Sequence, residues 1–205
     1  MLAREGLPWV LGLAVVGALL AGIAYGGRWW PGYLLGGTAL GLALFLGAFF
    51  RDPERTGQGD VLSAADGHVL VVAEEGPRVR IGTFMNVTDV HVNRFPLSGY
   101  LLRVEDRGGP RRPAFSPSAS GNAQKRYLLV SPLGIVEVVQ ITGFLARRCR
   151  SWQEPGTAAR RADRLGMILF GSRVDVVLPR ARVRVLVRPG DRVRAGCTPL
   201  AEVVP

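Results

Sequence analysis

The chain has 205 residues, enough for one compact domain and an anchoring segment. Hydrophobic residues make up 48%, but the excess is concentrated in the first fifty positions, so the remainder has the composition of an ordinary soluble domain. The formal charge of +10 comes almost wholly from arginine, Lys125 being the only lysine, and aromatic residues are not interleaved with the arginines as a nucleic-acid stacking platform requires.

Residues 8–26 and 31–50 are two charge-free apolar runs, each of about twenty residues, the length that spans a bilayer core. Only Gly27, Arg28, Trp29 and Trp30 separate them, which predicts a tight helical hairpin with interfacial tryptophans. Glycines at 22 and 26, 32 and 36, and 37 and 41 repeat the spacing that lets helices pack closely. Arg4 precedes the first run and Arg51 and Arg55 follow the second. The positive-inside rule therefore puts both ends, and the domain that follows, on the cytoplasmic side of the cell membrane. Beside such an anchor, a basic surface fits anionic membrane lipid.

From residue 51 onward a single β-rich domain is expected, giving a mainly β fold class behind a two-helix transmembrane hairpin at 1–50. Residues 69–73, 78–83, 100–104, 126–130, 135–142 and 181–187 are rich in Val, Ile and Leu and bounded by turn residues. Strict alternation over 180–185 predicts a strand with one wet face, and residues 144–150 suggest a helical turn. Residues 107–124, rich in Gly, Pro, Ser and Arg, read as a long surface loop. The run PGDRVRAG at 189–196 resembles the turn of lipoyl and biotinyl carrier domains but lacks their attachment lysine, and is read as shared β geometry.

Few residues could carry chemistry. Cys149 and Cys197 are far apart without CxxC spacing, so no metal site or disulfide framework is indicated, and both are read as reduced thiols. Asp66 lies in an Ala-Asp-Gly turn, and His68, two residues on, is read as a surface or turn histidine. His91 follows Asp89 in a polar run between β segments, and imidazole is the side chain whose unperturbed titration lies near neutral pH. Residues 166–179, GMILFGSRVDVVLP, are two β-prone runs around Gly171-Ser172. On the residues alone two readings are open: a kinked strand, or a serine whose hydroxyl attacks the preceding carbonyl and turns the amide into an ester.

Five segments together resemble the phosphatidylserine decarboxylases, in particular their short, membrane-anchored branch. They are FFRDPER at 49–55, ADG at 65–67, NVTDVHVNRFPLSG at 86–99, QITGFLARR at 140–148 and the 166–179 stretch. The resemblance implies self-cleavage between Gly171 and Ser172 into chains 1–171 and 172–205 that stay associated. Ser172 then becomes a covalent pyruvoyl cofactor, the electron sink that amino-acid decarboxylation needs. Lys125, in a Gly/Ser loop without phosphate-binding glycines, offers no pyridoxal phosphate site in its place.

The implied activity converts phosphatidylserine to phosphatidylethanolamine and CO2. By the same resemblance Asp66 helps activate Ser172, His91 is catalytic and returns a proton, and loop 107–124 contributes to the substrate side. The better-known branch has a second histidine where this chain has Arg94, so the group that deprotonates Ser172 stays open here. Arg94 and Arg173 are candidates for the substrate's phosphate or carboxylate, or equally structural partners of Asp89 and Asp175. Related enzymes often pair, so a homodimer is compatible. Two other readings are a decarboxylase of an archaeal-type ether-lipid serine headgroup and a non-enzymatic membrane-tethered β module, which would leave the chain intact.

Overall fold

The computed structural model describes residues 1–110, 112–144, 149–169 and 172–204. The chain falls into two compact units, Met1–Glu54 and Arg55–Pro205.

The first unit is a helical hairpin, α1 (Leu7–Gly27) and α2 (Trp30–Phe49), with Pro in the first turn of each helix, where its missing N–H costs nothing. Both helices are long and apolar enough to cross a membrane. They meet at small residues: a Cβ on Gly36 would lie 2.9 Å from Gly17 O, and one on Gly32 2.8 Å from the Ala24 methyl. Of the glycine pairs singled out from spacing, only 32 and 36 lie at this contact, while 22, 26, 37 and 41 face open space. The partner that spacing missed is Gly17, because an interhelical contact depends on which faces turn toward each other.

The second unit is built of strands: β1 (Val61–Leu62), β2 (Gly67–Glu75), β3 (Arg78–Met85), β4 (Val92–Arg94), β5 (Gly99–Arg107), β6 (Gln124–Ser131) and β7 (Gly134–Ile141). There follow β8 (Cys149–Ser151), β9 (Ala158–Ala159), β10 (Arg164–Ile168), β11 (Ser172–Pro179), β12 (Val183–Val185), β13 (Arg192–Val193) and β14 (Pro199–Val203). The largest sheet runs β13-β2-β3-β11-β7-β6-β5-β9, and two three-stranded sheets have the orders β4-β10-β8 and β1-β14-β12. The fold is mainly β, as the apolar alternation predicts. Val174, Val176 and Leu178 of β11, Val79 and Ile81 of β3, and Val136 and Val138 of β7 line the inner face and form its core.

Three local expectations are corrected. Residues 166–179 are not one kinked strand: β10 pairs in the small sheet with β4 and β8, whereas β11 pairs in the large sheet with β3 and β7, so the chain changes sheets between them. Residues 180–182 form a 3-10 turn and only 183–185 a strand, because β11 ends at Pro179 and the chain must turn into another sheet. Cys149 and Arg150 belong to β8 and not to a helical turn, while 145–148 lie outside the described residues.

The described residues of loop 107–124 are organised. They contain a 3-10 helix, Pro117–Gly121, and the Asn122 carboxamide bonds Arg112 N (3.0 Å), Arg112 O (2.7 Å) and Thr142 O (2.7 Å). Those bonds satisfy backbone groups that neither a strand nor a helix would pair.

Candidate active site

One end of the large sheet gathers the start of β2, the end of β3, the start of β11, the end of β7 and the start of β6. Their antiparallel register brings this about, pairing Ser172 with Met85, Arg173 with Ile141 and Ile141 with Gln124. Ser172 is the first residue of β11 and is completely buried. Its side chain points inward, and its hydroxyl donates to the Met85 thioether at 3.5 Å. Gly171, the other half of the expected cleavage site, lies outside the described residues.

The thioether is the end of a buried polar chain. Asn93 Nδ2 donates to Met85 Sδ at 3.6 Å, Gln140 Nε2 to Asn93 Oδ1 at 2.8 Å, and the Tyr127 hydroxyl to Gln140 Oε1 at 2.9 Å. Each of these side chains is inaccessible to solvent, and burial pushes the Tyr127 phenol well above its usual range. Buried carboxamides among Val, Ile and Leu are costly unless every link is made, so the chain holds its members in one arrangement. Reading the sequence picked out none of Met85, Asn93, Gln140 and Tyr127. The signal was present, since Asn93 lies in the HVNR segment and Gln140 opens QITG.

Asp66 sits just before β2. Its Oδ2 accepts from Arg55 Nη2 at 2.8 Å and its Oδ1 from the Ala195 backbone amide at 2.7 Å, two charge-assisted bonds that orient the carboxylate. Arg55 comes from the FFRDPER segment and Ala195 from the closing 189–196 turn, so both segments have a job that local reading did not assign. Gly67 follows with φ +145, and a Cβ there would overlap the Phe84 carbonyl. Only glycine permits Asp66 to enter the sheet so close to Met85. His68 is half-buried within β2, opposite Phe84 and Arg192.

His91 is fully buried next to β4, with Nδ1 2.9 Å from Asp89 O. Its carbonyl accepts from Ile168 N at 3.4 Å, at the end of β10 and four residues before Ser172. A neutral imidazole donating through Nδ1 presents Nε2 as its basic nitrogen. Arg94, two residues past the strand's start, is buried and donates from Nη1 to Ala162 O at 2.8 Å. Asp89 accepts from Asn86 N at 2.9 Å and lies 3.6 Å from Arg192.

Arg173 points to the opposite, outer face. It grips Asp175 through Nε at 2.6 Å and Nη2 at 3.0 Å, and Arg80 Nη1 reaches the same carboxylate at 3.0 Å. Gly82 makes room for the pair, since a Cβ there would lie 2.8 Å from both Arg173 Nε and Asp175 Oδ1. Arg80 also holds Glu75, and that hydrogen bond keeps the Glu75 carboxyl below its usual range. Of the two roles open to Arg173, this geometry supplies the structural one. The Phe115 ring of loop 107–124 lies edge-on to Phe84 of the same face, their centroids 6.0 Å apart.

Residues 42–201 match the family model for phosphatidylserine decarboxylase. Curated relatives cover nearly the whole chain. A phosphatidylserine decarboxylase proenzyme of Carboxydothermus hydrogenoformans is 40% identical over 98% of this chain and 95% of its own length. A putative archaetidylserine decarboxylase proenzyme of Halobacterium salinarum is 43% identical over 98% and 100%. A phosphatidylserine decarboxylase proenzyme of Streptomyces griseus is 38% identical over 96% and 91%. With the family model spanning most of the chain and relatives aligned almost end to end, the chain belongs to the phosphatidylserine decarboxylase family.

Proposed function

We propose that this chain is a membrane-associated proenzyme that cuts itself between Gly171 and Ser172, and whose product decarboxylates phosphatidylserine to phosphatidylethanolamine and CO2. The observation that carries this reading is the position of Ser172: a wholly buried hydroxyl that opens a central strand where the chain crosses between sheets. A hydroxyl whose acceptor is a thioether is weakly held and keeps its oxygen lone pairs for attack on an adjacent carbonyl carbon, converting the peptide bond to an ester. Because the break falls between two packed sheets, chains 1–171 and 172–205 stay associated through β11.

Residue 172, converted to a pyruvoyl group, supplies the carbonyl electron sink for loss of CO2. The chain's own residues set its surroundings. Met85 and the carboxamides behind it hold position 172 in a dry inner face, and His91 Nε2 is the candidate to move a proton there. Asp66 immediately precedes β2, and β3 lies between β2 and the strand of Ser172, a separation of roughly 10 Å at the spacing of neighbouring strands, so Asp66 acts by orienting or polarising an intervening group. Arg94, buried at the end of β4, supports the site from its margin, and Arg173 serves the fold through Asp175.

The apolar hairpin keeps the enzyme where its lipid is, and arginines flanking the hairpin's two ends favour a cytoplasmic catalytic unit. The ether-lipid reading has one observation in its favour, the 43% identity to the haloarchaeal relative. Mass spectrometry of the purified full chain tests the main reading. The expected result is two fragments dividing at 171/172, the smaller with a blocked, carbonyl-reactive N-terminus, and CO2 release from phosphatidylserine. A single intact species inactive on the lipid overturns it.

A further inference from the structure

Beside the inner face, at the same end of the sheet as Ser172, lies a cavity of about 250 Å³ lined by Asp106, Lys125, Thr142, Cys149, Arg150 and Arg107. Its lining carries three cationic side chains against one carboxylate. Register fixes which way the central one points. Lys125 pairs with Gln140, Gln140 pairs with Val174, and Val174 lies two residues along β11 from Ser172. Cross-strand partners share a face, as do alternate residues of one strand, so Lys125 and Ser172 project from the same side of the sheet. Two strand spacings and two residues of rise separate them by roughly 12 Å between Cα atoms. In the resting ion pair the Lys125 stem leans away from β11, toward Asp106 on β5, so the ammonium must swing back across β6 as that pair opens, and a phosphoserine headgroup extending from residue 172 covers the rest of the gap.

Lys125 is the only lysine in the chain, and its side chain is 11% exposed, although a lysine normally keeps its ammonium in water. Its ammonium meets Asp106 at 2.7 Å, but the Asp106 side chain is 77% exposed and hydrated, so the pair is partly open to solvent and readily exchanged. Arg150, exposed on β8, borders the cavity from the small sheet. The arrangement is a recessed cationic corner at headgroup distance from the reactive serine.

We infer that Lys125, assisted by Arg150, forms the subsite that holds the phosphodiester of the substrate's headgroup, with Asp106 as the resident counter-ion that the phosphate displaces. This rests on the reading of the chain as a decarboxylase of a phosphoserine lipid. Asp106 and Lys125 then act in opposite directions on binding, which a purely structural ion pair would not do.

The test uses the self-cleaved full chain in detergent with a short-chain, water-soluble phosphatidylserine. Lys125→Gln should cleave itself fully and raise KM about tenfold with kcat per pyruvoyl little changed, the size expected for one lost charge-assisted bond. Lys125→Arg should restore most of the affinity, and Asp106→Asn should lower KM. Inorganic phosphate should compete with substrate on the wild type and much less on Lys125→Gln. An unchanged KM in Lys125→Gln, or parallel losses in Lys125→Gln and Asp106→Asn, overturns the subsite. Should the wild type fail to decarboxylate the lipid, the reading of function falls instead. Phosphate binding to wild type and Lys125→Gln, followed by 31P line broadening, then decides the subsite by itself: equal broadening overturns it, and loss in the variant upholds it.

Discussion

The two faces of β11 alternate residue by residue and treat their polar groups in opposite ways. On the outer face Arg173, Asp175 and Arg80 saturate one another at 2.6 to 3.0 Å, with Glu75 closing the set. On the inner face the Ser172 hydroxyl ends on a thioether at 3.5 Å, at the end of a chain of neutral carboxamides. Strong mutual bonds make the outer groups expensive to disturb and unavailable to a ligand. Weak ones leave the inner hydroxyl oriented yet reactive. Adjacent positions on one strand can thus carry the load of the fold and the chemistry separately.

The sharpest way to break this comparison is at its reactive member. Ser172→Ala should abolish both self-cleavage and decarboxylation while leaving the fold intact, since the hydroxyl is held by a weak thioether acceptor. Gel analysis of the purified variant should show one full-length band with a thermal midpoint close to that of wild type. A variant that still yields two chains would take the chemistry away from Ser172.

A smaller effect should follow from loosening the chain behind it. Asn93→Leu leaves Gln140 Nε2 without its acceptor and Met85 without its lateral tie, so we expect self-cleavage slowed by about a hundredfold and stability reduced by about 1–3 kcal/mol. Adding Gln140→Leu together with Tyr127→Phe removes both the orphaned amide and the hydroxyl that would lose its acceptor, and should recover much of the stability but not the cleavage rate, because the tie to Met85 is still missing. Cleavage time courses by mass spectrometry, set beside urea midpoints of both variants, separate the two roles. Rate and stability recovering together would reduce the carboxamides to packing.

How much of this was legible in the sequence follows from how local each feature is. The strands from β2 to β7 that build the large sheet are encoded by nearest-neighbour alternation of Val, Ile and Leu, and they appear where that pattern puts them. The change of sheets ahead of Ser172 is not encoded that way, since the same β-prone residues suit either sheet and only long-range pairing chooses. Asp66 was recognisable from its turn, but its holders, Arg55 and the Ala195 amide, come from opposite ends of the domain. Arg173 shows the limit most plainly. Its type and its place beside Ser172 fit a ligand for phosphate, and only its direction, away from the serine and into Asp175, removes it from the reactive face.

On the outer face the expected loss is of stability alone. Asp175→Asn leaves Arg80 and Arg173 without their shared buried anion and should cost about 3 kcal/mol, read as a lower urea midpoint. Self-cleavage of the folded variant, followed at low temperature, should still go to completion. Loss of cleavage at a temperature where the variant is folded would tie the outer network to the chemistry and dissolve the division between the faces.

The smallest effect concerns Cys149, which borders the inner cavity and lies 3.9 Å from Gln140 O. Burial pushes its thiol up from 9.0 to about 12, an effect that the charge of Lys125 only partly offsets. Between those values the unfolded chain has released the proton and the folded chain still holds it. Fewer protons are bound in the unfolded state, and stability therefore falls as pH rises through that window and is untouched below it. Cys149→Ala should flatten the decline of urea midpoint above pH 9 without altering the curve at neutral pH. In the folded wild type at pH 8, iodoacetamide should modify Cys149 far more slowly than in the unfolded chain, since only the thiolate reacts. Equal rates in the two states would mean that burial does not hold the Cys149 thiol protonated in the folded chain.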